Sequence, residues 1–240
     1  HIVFNNNINF KNTGLLIVDE EHKFGIKQKN YIKDKQSNIH ILYLSATPIP
    51  RTLQMAFSGI RDLSLINTPP KNRMPIETHV IDFEQGTIRS AIMREIKRDG
   101  QVFFVVPRIK DIRAIEDFLN DVLPEVKYKV ATGKTNNREL EKTISAFYYG
   151  EFDLLVSTNI IGSGLDVHRA NTIIIYKAEL FGLSQLYQIR GRVGRSNKRA
   201  FAYLVTKGNT TLTENAKKRL DLIKELNSLV SGFTLSSQDL

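Results

Sequence analysis

Leu15-Leu16-Ile17-Val18-Asp19-Glu20-Glu21-His22 joins an apolar run to three adjacent carboxylates, and this junction predicts the fold. A buried strand that ends in acids delivers them to the carboxyl edge of a parallel sheet, where α/β proteins bind ligands. One carboxylate there can hold Mg²⁺, and its neighbour can orient or deprotonate a water that attacks a phosphate. Taken alone, these residues are better explained by a solvated acidic turn, so the interpretation depends on the motifs downstream.

The composition is that of a globular protein without disulfides. The chain has 240 residues, of which 41% are hydrophobic and 25% charged, enough for one large domain or two modest ones. The absence of cysteine excludes a disulfide framework and a thiolate metal site, and it fits a reducing compartment. No apolar stretch approaches the roughly 18 residues that indicate a membrane span. The opening His1-Ile2-Val3-Phe4, without an initiator Met, predicts a piece of a longer protein.

Basic residues concentrate in the last quarter of the chain. The net charge is +9, and between Leu186 and Lys224 ten lysines and arginines are opposed only by Glu214 and Asp221. A basic block of this kind favours a polyanionic partner such as nucleic acid or nucleotide phosphate. Within the block, Lys217-Lys218-Arg219 alone are better explained as the solvated face of a helix.

Strand-like runs alternate with helix-like runs, which predicts a parallel sheet with helices on both faces. Buried strands are predicted at Leu15–Asp19 and Ile39–Ser45, followed by a short helix at Arg51–Ser58 after two prolines. Later strands are predicted at Ile76–Ile81, Gln101–Val106, Tyr128–Ala131, Asp153–Ser157, Thr172–Tyr176 and Phe201–Val205. Later helices are predicted at Thr87–Arg98, Ile112–Val122, Arg138–Tyr149, Ser184–Arg192 and Thr213–Val230.

The clearest break in the chain is Thr68-Pro69-Pro70-Lys71-Asn72-Arg73, because consecutive prolines cannot continue a strand or a helix. The predicted domains follow from this break. Residues 1–67 form the C-terminal part of a first α/β domain, and residues 68–75 form a linker. Residues 76–208 form a complete second α/β domain, and residues 209–240 begin a further helical region.

Two segments are suggestive only through their positions. Ser45-Ala46-Thr47 closes the second strand, where small hydroxyl residues bond to carboxylates or backbone without crowding a phosphate, although a turn at Pro48 explains it as well. The run from Ser157 to Asp166 takes a strand through Gly162 and Gly164 to an acid. These glycines allow close backbone approach to a phosphate or sugar, but a tight surface turn fits equally well in isolation. The run lacks the third glycine of a dinucleotide fingerprint.

Gln188-Ile189-Arg190-Gly191-Arg192-Val193-Gly194-Arg195 is the sharpest local signal. Three arginines with intervening glycines are costly to pack, and the planar fork of arginine suits phosphate oxygens. An arginine placed at a γ-phosphate stabilises the charge that develops in the transition state. The functional interpretation is therefore strongly favoured over a basic surface helix.

Gly133-Lys134-Thr135 resembles the end of a phosphate-binding loop, but it fails the rest of that motif. The glycine required five positions before Gly133 is replaced by Tyr128. The segment also follows the acidic junction and lies in the second predicted domain. We therefore predict a loop between a strand and a helix, and not an ATP site.

In this order, the motifs resemble the motor of superfamily 2 helicases and translocases over nearly the whole chain. Asp19-Glu20-Glu21-His22 resembles the Walker B box, and Ser45-Ala46-Thr47 resembles the motif that couples hydrolysis to movement. Ser157–Asp166 resembles motif V, and Gln188–Arg195 resembles the arginine-finger motif. The resemblance implies RecA-like parallel sheets with flanking helices, arranged as a partial first motor domain and a complete second one.

Within this superfamily the nearest resemblance is to the transcription-repair coupling factor family, followed by the RecG branch-migration helicases. Both share Ala46-Thr47-Pro48-Ile49-Pro50-Arg51-Thr52-Leu53 and the arginine segment. Glu21, Thr68-Pro69-Pro70 and Phe181-Gly182-Leu183 favour the coupling factors. The chain's end, from Ser231 to Leu240, resembles the opening of the translocation motif that both families share.

The resemblance implies ATP and Mg²⁺ as cofactors and double-stranded DNA as the partner, in a cytoplasmic protein without membrane contact. Asp19 would bind Mg²⁺ through water, Glu20 would position the attacking water, and Arg192 and Arg195 would reach the γ-phosphate. The remaining implied roles are nucleotide contact for Gly164, Asp166 and Gln188, coupling for His22, Ser45 and Thr47, and DNA contact for Thr158 and Arg51. RNA polymerase and nucleotide-excision-repair proteins would bind regions outside this chain.

The implied function is ATP-driven movement on duplex DNA that displaces stalled RNA polymerase. The alternatives are RecG-like branch migration and a non-catalytic nucleic-acid-binding module of the same fold. Motif V departs from the family at Gly162 and His168, where Glu and Pro are usual, and Thr132–Thr135 replaces a His-Gly-Gln-Met pattern. The phosphate-binding loop would precede His1 and the translocation motif ends before its arginines, so we expect this chain alone to hydrolyse ATP poorly.

Overall fold

The computed structural model describes residues 13–20, 24–35, 39–45, 74–158, 167–207 and 212–225, with the isolated positions 62, 64, 66 and 68. These residues fall into two compact units, and the division between them lies between residues 63 and 64. The predicted helix at Arg51–Ser58 lies outside the described residues. None of the helices in these ranges is long and apolar enough to cross a membrane.

The first unit contains a strand, a helix and a second strand. Strands β1 (Leu15–Asp19) and β2 (His40–Leu44) are parallel, with Leu15 opposite His40 and Asp19 opposite Leu44, and helix α1 (Ile26–Lys35) lies between them in sequence. Both predicted strands are confirmed in position. Helix α1 was not predicted, because its sequence is dominated by Lys, Gln, Asn and Asp and its few apolar residues do not recur at helical spacing.

The prediction that β1 and β2 are buried is wrong for one face of this sheet. Leu15, Ile17, Leu42 and Leu44 share that face by the register of the two strands, and they are 53%, 55%, 47% and 41% exposed. On the opposite face Val18 is only 3% exposed. Parallel strands become buried when a layer covers each face, and the described residues of this unit leave the leucine face open. Apolar composition alone therefore overestimated burial.

The second unit is built on a six-stranded sheet in the order β3-β8-β7-β4-β6-β5, and every pair is parallel. The strands are β3 (Ile76–Asp82), β4 (Gln101–Val105), β5 (Tyr128–Ala131), β6 (Leu154–Ser157), β7 (Ala170–Tyr176) and β8 (Ala200–Thr206). The helices are α2 (Gln85–Lys97), α3 (Ile112–Val122), α4 (Asn137–Tyr148), α5 (Leu183–Arg190) and α6 (Glu214–Glu225). Short 3₁₀ turns occupy Ile109–Asp111 and Ala178–Leu180.

Helices cover both faces of this sheet, as predicted. Along β4, Val102 and Phe104 pack with residues of α2 and α3 on one face, whereas Phe103 and Val105 pack with residues of α4, α5 and α6 on the other. All four side chains are at most 4% exposed. Continuous apolar strands are the sequence signature of sheets buried on both faces, which is why these strands and helices were predicted to within a few residues.

The loop of Gly133-Lys134-Thr135 lies between β5 and α4, which confirms the predicted placement. Its backbone donors serve the turn itself, because Lys134 N donates to Thr132 Oγ1 (3.1 Å) and Thr135 N donates to Thr132 O (3.0 Å). Asn136 then caps α4 by accepting a hydrogen bond from Glu139 N at 2.9 Å. The backbone N–H groups of Lys134 and Thr135 therefore bond within the loop, whereas a phosphate-binding loop directs such groups at its ligand.

The buried carboxylate of Glu95 connects the end of α2 to the sheet. Glu95 is fully buried, and its carboxylate accepts hydrogen bonds from Thr172 Oγ1 on β7 and from the Arg98 guanidinium. The chain then turns sharply, with Asp99 at φ 60° and Gly100 N donating to Glu95 O at 3.0 Å. A Cβ atom at Gly100 would lie 1.8 Å from Glu95 Oε1, so the turn requires glycine there.

We expect Gly100→Ala to lower the free energy of unfolding by about 1–3 kcal/mol, because the methyl group must displace a bonded, buried carboxylate. Urea unfolding followed by circular dichroism measures the change. Gly133→Ala is the matched control, since no described atom lies within 4 Å of a Cβ built there. Equal stability of the two variants would show that the Glu95 contacts yield at no cost.

Candidate functional site

The acidic residues lie at the carboxyl edge of the first sheet. Asp19 is the last residue of β1 and is exposed, and Glu20 follows it with 8% exposure. Glu20 adopts a left-handed φ of 54°, which is uncommon for a residue other than glycine, and its N donates to Leu44 O at 2.8 Å. Ser45 follows β2 directly and therefore ends at the same edge. His22, Thr47 and Arg51 lie outside the described residues.

This edge has carboxylate ligands that suit Mg²⁺. Magnesium is typically held by one or two carboxylates together with substrate phosphates and water, and does not need an all-protein cage. Asp19 and Glu20 supply two adjacent carboxylates, and no cluster of three metal-ligating side chains occurs among the residues that the structure describes. Asp19 therefore fits a metal that is completed by the nucleotide.

The three arginines of the segment Gln188–Arg195 occupy three different environments. Arg190, the last residue of α5, is 6% exposed, donates from Nη1 to Ile223 O of α6 at 3.1 Å, and lies 5.3 Å from the Tyr187 ring centroid. Arg192 is half-buried and Arg195 is exposed. The argument that all three arginines pack poorly is therefore wrong for Arg190, because a helix carbonyl and an aromatic ring receive its guanidinium.

A glycine fixes the backbone just before Arg195. Gly194 has φ 75°, and a Cβ atom there would lie 3.0 Å from Ile76 Cγ1 and 3.4 Å from Ala200 Cβ. Both the left-handed conformation and the close packing exclude a larger residue. The direction in which the chain presents Arg195 therefore depends on Gly194. Gln188, half-buried on α5, precedes this turn, whereas Gly164 and Asp166 lie outside the described residues.

The arginine loop lies at the amino edge of the second sheet. Arg195 precedes β8, and its carbonyl oxygen is 3.3 Å from Nδ1 of His168, which precedes β7. Thr158 instead follows β6 and lies at the carboxyl edge. A seven-residue strand such as β7 spans roughly 20 Å. The structure thus separates the predicted nucleotide-contacting arginines from the predicted DNA-contacting Thr158.

Two basic residues that sequence reasoning missed, Arg108 and Lys110, lie at the same edge as Thr158. Val106 N donates to Ser157 O at 2.8 Å, so the segment after β4 runs beside Thr158 and carries the exposed Arg108 and Lys110. The strand-end argument applied to Asp19 would have found them, because Arg108 follows the apolar run of β4 just as Asp19 ends that of β1.

A partly buried ion pair lies at the same edge. Asp111 is 5% exposed and bonds to Lys177, which follows β7 in a left-handed conformation with φ 50°. The direction in which strands are added to the sheet reverses between β4 and β7. Strands β5 and β6 lie on one side of β4, whereas β7 and β8 lie on its other side. Such switch points at the carboxyl ends of strands are where open α/β sheets bind ligands.

A shallow pocket of about 460 Å³ lies away from these motifs, beside the start of α2. It is lined by Glu84, Gly86, Thr87, Ser90, Ala91, Arg94 and Tyr203. The Arg94 guanidinium stacks 3.7 Å from the Phe201 ring centroid and donates to the Tyr203 hydroxyl at 2.5 Å. Burial raises the pKa of Tyr203 above its usual value, although Arg94 acts in the opposite direction. Arg94 is thus engaged in packing.

Comparison with known proteins identifies the origin of these motifs. Residues 86–197 match the helicase conserved C-terminal domain. The chain is 48% identical over 239 residues to the transcription-repair-coupling factor of Rickettsia prowazekii (strain Madrid E), and 47% identical over 240 residues to that of Bacillus subtilis (strain 168). The chain is homologous to a segment of the transcription-repair-coupling factors. It is covered completely in both alignments but spans only about one fifth of those relatives, 21% and 20% of their lengths.

Solved structures agree with this homology to the coupling factors. A structure of RecG bound to a three-way DNA junction superposes on 97% of this chain and 30% of that chain, with a TM-score of 0.75 and 33% identity. S. cerevisiae Dbp5 bound to RNA and ADP BeF3 superposes on 88% of this chain and 56% of that chain, with a TM-score of 0.60, and at 15% identity it shows the fold alone. The RecA-like helicase fold and the predicted resemblance are confirmed.

We expect Gly194→Ala to lower the free energy of unfolding by about 1–3 kcal/mol, from left-handed backbone strain and from crowding against Ile76. Thermal or urea unfolding measures the change, and Gly133→Ala again provides a glycine substitution in open space. A variant as stable as the control would mean that this part of the coupling-factor segment adapts its backbone freely.

Proposed function

We propose that the chain is the motor segment of an ATP-driven double-stranded DNA translocase of the transcription-repair-coupling type, which displaces stalled RNA polymerase. The observation that carries this proposal is the 47–48% identity over the whole chain to coupling factors. Strand-end carboxylates and an arginine loop of the required chemistry support it. RNA polymerase and nucleotide-excision-repair proteins would bind parts of the full-length protein outside this segment.

The acidic edge of the first unit handles the metal and the water. Asp19 would hold Mg²⁺, and Glu20 would orient the water that attacks the γ-phosphate. Bound Mg²⁺ would neutralise charge on the β- and γ-phosphate oxygens. The left-handed φ of Glu20 and its backbone bond to Leu44 hold that carboxylate at the strand end. Ser45, His22 and Thr47 would together couple hydrolysis at this edge to movement.

The arginine loop of the second unit supplies positive charge. Arg192 and Arg195 contact the γ-phosphate, where a planar guanidinium matches the phosphate oxygens and stabilises charge that develops during transfer. Gln188, Gly164 and Asp166 complete the nucleotide contacts. The exposure of Arg195 supports this assignment, because its charge is kept at the surface instead of being buried in the manner of Arg190.

The carboxyl edge of the second sheet contacts duplex DNA. Thr158 and the exposed Arg108 and Lys110 would contact DNA phosphates there. Arg51, which lies outside the described residues, is a further predicted DNA contact. Lysine and arginine neutralise phosphates without reading sequence, which suits a protein that must move along any duplex. The location of these residues at a switch point supports a ligand-binding role.

Two alternatives remain open to test. RecG-like branch migration is supported by the structural match to RecG at 33% identity and a TM-score of 0.75. A non-catalytic nucleic-acid-binding module would keep the fold without the chemistry. The presence of Asp19, Glu20, Arg192 and Arg195 together argues against such a module, because a decayed site has no need of all four.

In the full-length protein, we expect Arg195→Ala to lower kcat for DNA-stimulated ATP hydrolysis by about 10³-fold or more, because the arginine acts mainly on the transition state. Nucleotide binding should change little, and Glu20→Gln should also abolish turnover. Arg199→Ala is the matched control, since Arg199 makes only a 3.7 Å surface ion pair with Glu77 in the described part of the chain. Unchanged turnover in Arg195→Ala would refute the finger assignment.

Salt dependence tests the DNA edge. If Arg108 and Lys110 each neutralise one DNA phosphate, the alanine variants should bind duplex DNA more weakly. Each should reduce the slope of log K against log salt concentration by about 0.9. Fluorescence anisotropy with duplexes of several sequences measures both quantities. Lys218→Ala, on the exposed face of α6, should leave the slope unchanged. If Arg108→Ala and Lys110→Ala both kept the slope of the unmodified protein, DNA would not bind at this edge.

A further inference from the structure

A buried asparagine joins the two turns at the amino edge of the second sheet. Asn171, near the start of β7, is only 1% exposed. Its Nδ2 donates to His168 O at 3.3 Å and to Arg169 O at 3.2 Å, and its Oδ1 accepts from Ser196 Oγ at 2.7 Å. Both donors and the carbonyl oxygen of the amide are therefore used in holding backbone and loop together.

In the loop after α5, both Arg195 and Ser196 are held by hydrogen-bonding contacts. Ser196 Oγ donates to Asn171 and accepts from Lys198 N at 3.2 Å. The Arg195 carbonyl lies 3.3 Å from His168 Nδ1, and because a carbonyl oxygen only accepts, Nδ1 must carry the hydrogen. Asn171 in turn holds the carbonyl of His168, so one buried side chain organises both contacts.

We propose that Asn171 is a positioning residue for Arg195 and acts through Ser196 and the turn at His168. This inference rests on the proposed role of Arg195 at the γ-phosphate. An arginine has a long side chain, so where its guanidinium can reach depends on where its backbone is anchored. Gly194 sets the direction of that backbone on one side, and the Asn171–Ser196 bond fixes it on the other.

The burial of Asn171 supports a dedicated role. It is the only amide in the run Ala170-Asn171-Thr172-Ile173-Ile174-Ile175, whose members are all at most 1% exposed. A polar side chain buried in such a strand costs free energy unless every group is bonded. Here each bond is made to the two turns at the amino edge, and none is needed to hold β7 in the sheet, which its neighbours β4 and β8 already do.

The test compares Ser196→Ala and Asn171→Ala in the full-length protein. Ser90→Ala is the matched control, because its hydroxyl donates to Gly86 O within α2. Ser196→Ala keeps the test decisive if Asn171→Ala fails to fold. We expect both site variants to lower kcat by roughly 10- to 100-fold, the usual cost of misplacing a catalytic group by about 1 Å. The KM for ATP should change less than about threefold, since ground-state binding is retained.

Transition-state binding separates positioning from a merely structural role. We expect Ser196→Ala to weaken binding of MgADP with tetrafluoroaluminate by the same factor as kcat, with MgADP affinity unchanged. Ser196→Thr, which retains a hydroxyl, should restore both values. In an Arg195→Ala background, Ser196→Ala should cause no further loss in tetrafluoroaluminate affinity, because the group that it positions is gone.

Four results would overturn the inference. Variants that melt at lower temperature but keep wild-type kcat and tetrafluoroaluminate affinity would assign Asn171 to stability alone. Full additivity with Arg195→Ala would show that the network acts on another group. If Arg195→Ala itself left turnover intact, the proposed role of Arg195 would fail together with this inference. An inactive Arg195→Ala protein with a normal Ser196→Ala protein would reject only the positioning role.

Discussion

The parallel ladder of the six-stranded sheet is the constraint on which the other features depend. Because all strands run the same way, every connection must cross a face of the sheet before the next strand can begin. The crossings bury both faces, as the packing of Phe103 and Phe104 on opposite sides of β4 illustrates. Charged and polar groups that must meet a ligand are thereby confined to the two edges where strands begin and end.

This confinement gives the two edges different chemistry. The carboxyl edge carries Thr158, Arg108 and the Asp111–Lys177 pair, whereas the amino edge carries Arg195 and the turn organised by Asn171. In the proposed translocase, one edge contacts the DNA and the other contacts the nucleotide.

Features that produce a local sequence pattern were predictable, and features that depend on distant residues were not. Strands such as β4 and β7 were predictable because burial on both faces demands a continuous apolar run. The polar helix α1 has no apolar periodicity from which it could be predicted. The exposure of Leu15 and Ile17 was missed because a local sequence pattern does not show whether another layer covers a strand. Asn171 was missed for a different reason. The role of a single amide in an apolar run becomes visible only when its partner Ser196, 25 residues away, is known.

The arginine segment shows how a motif mixes scaffold with chemistry. Arg190 and Arg195 are the same residue type five positions apart, yet burial obliges Arg190 to spend its guanidinium on the carbonyl of Ile223, because an unpaired buried charge would be too costly. Arg195 keeps its charge at the surface, where an anionic ligand can reach it. The reach of a long side chain depends on where its backbone is held, so the backbone beneath Arg195 contributes to the accuracy that phosphate chemistry needs. Gly194 and the Ser196–Asn171 bond are the elements that supply it, and neither can contribute any charge of its own.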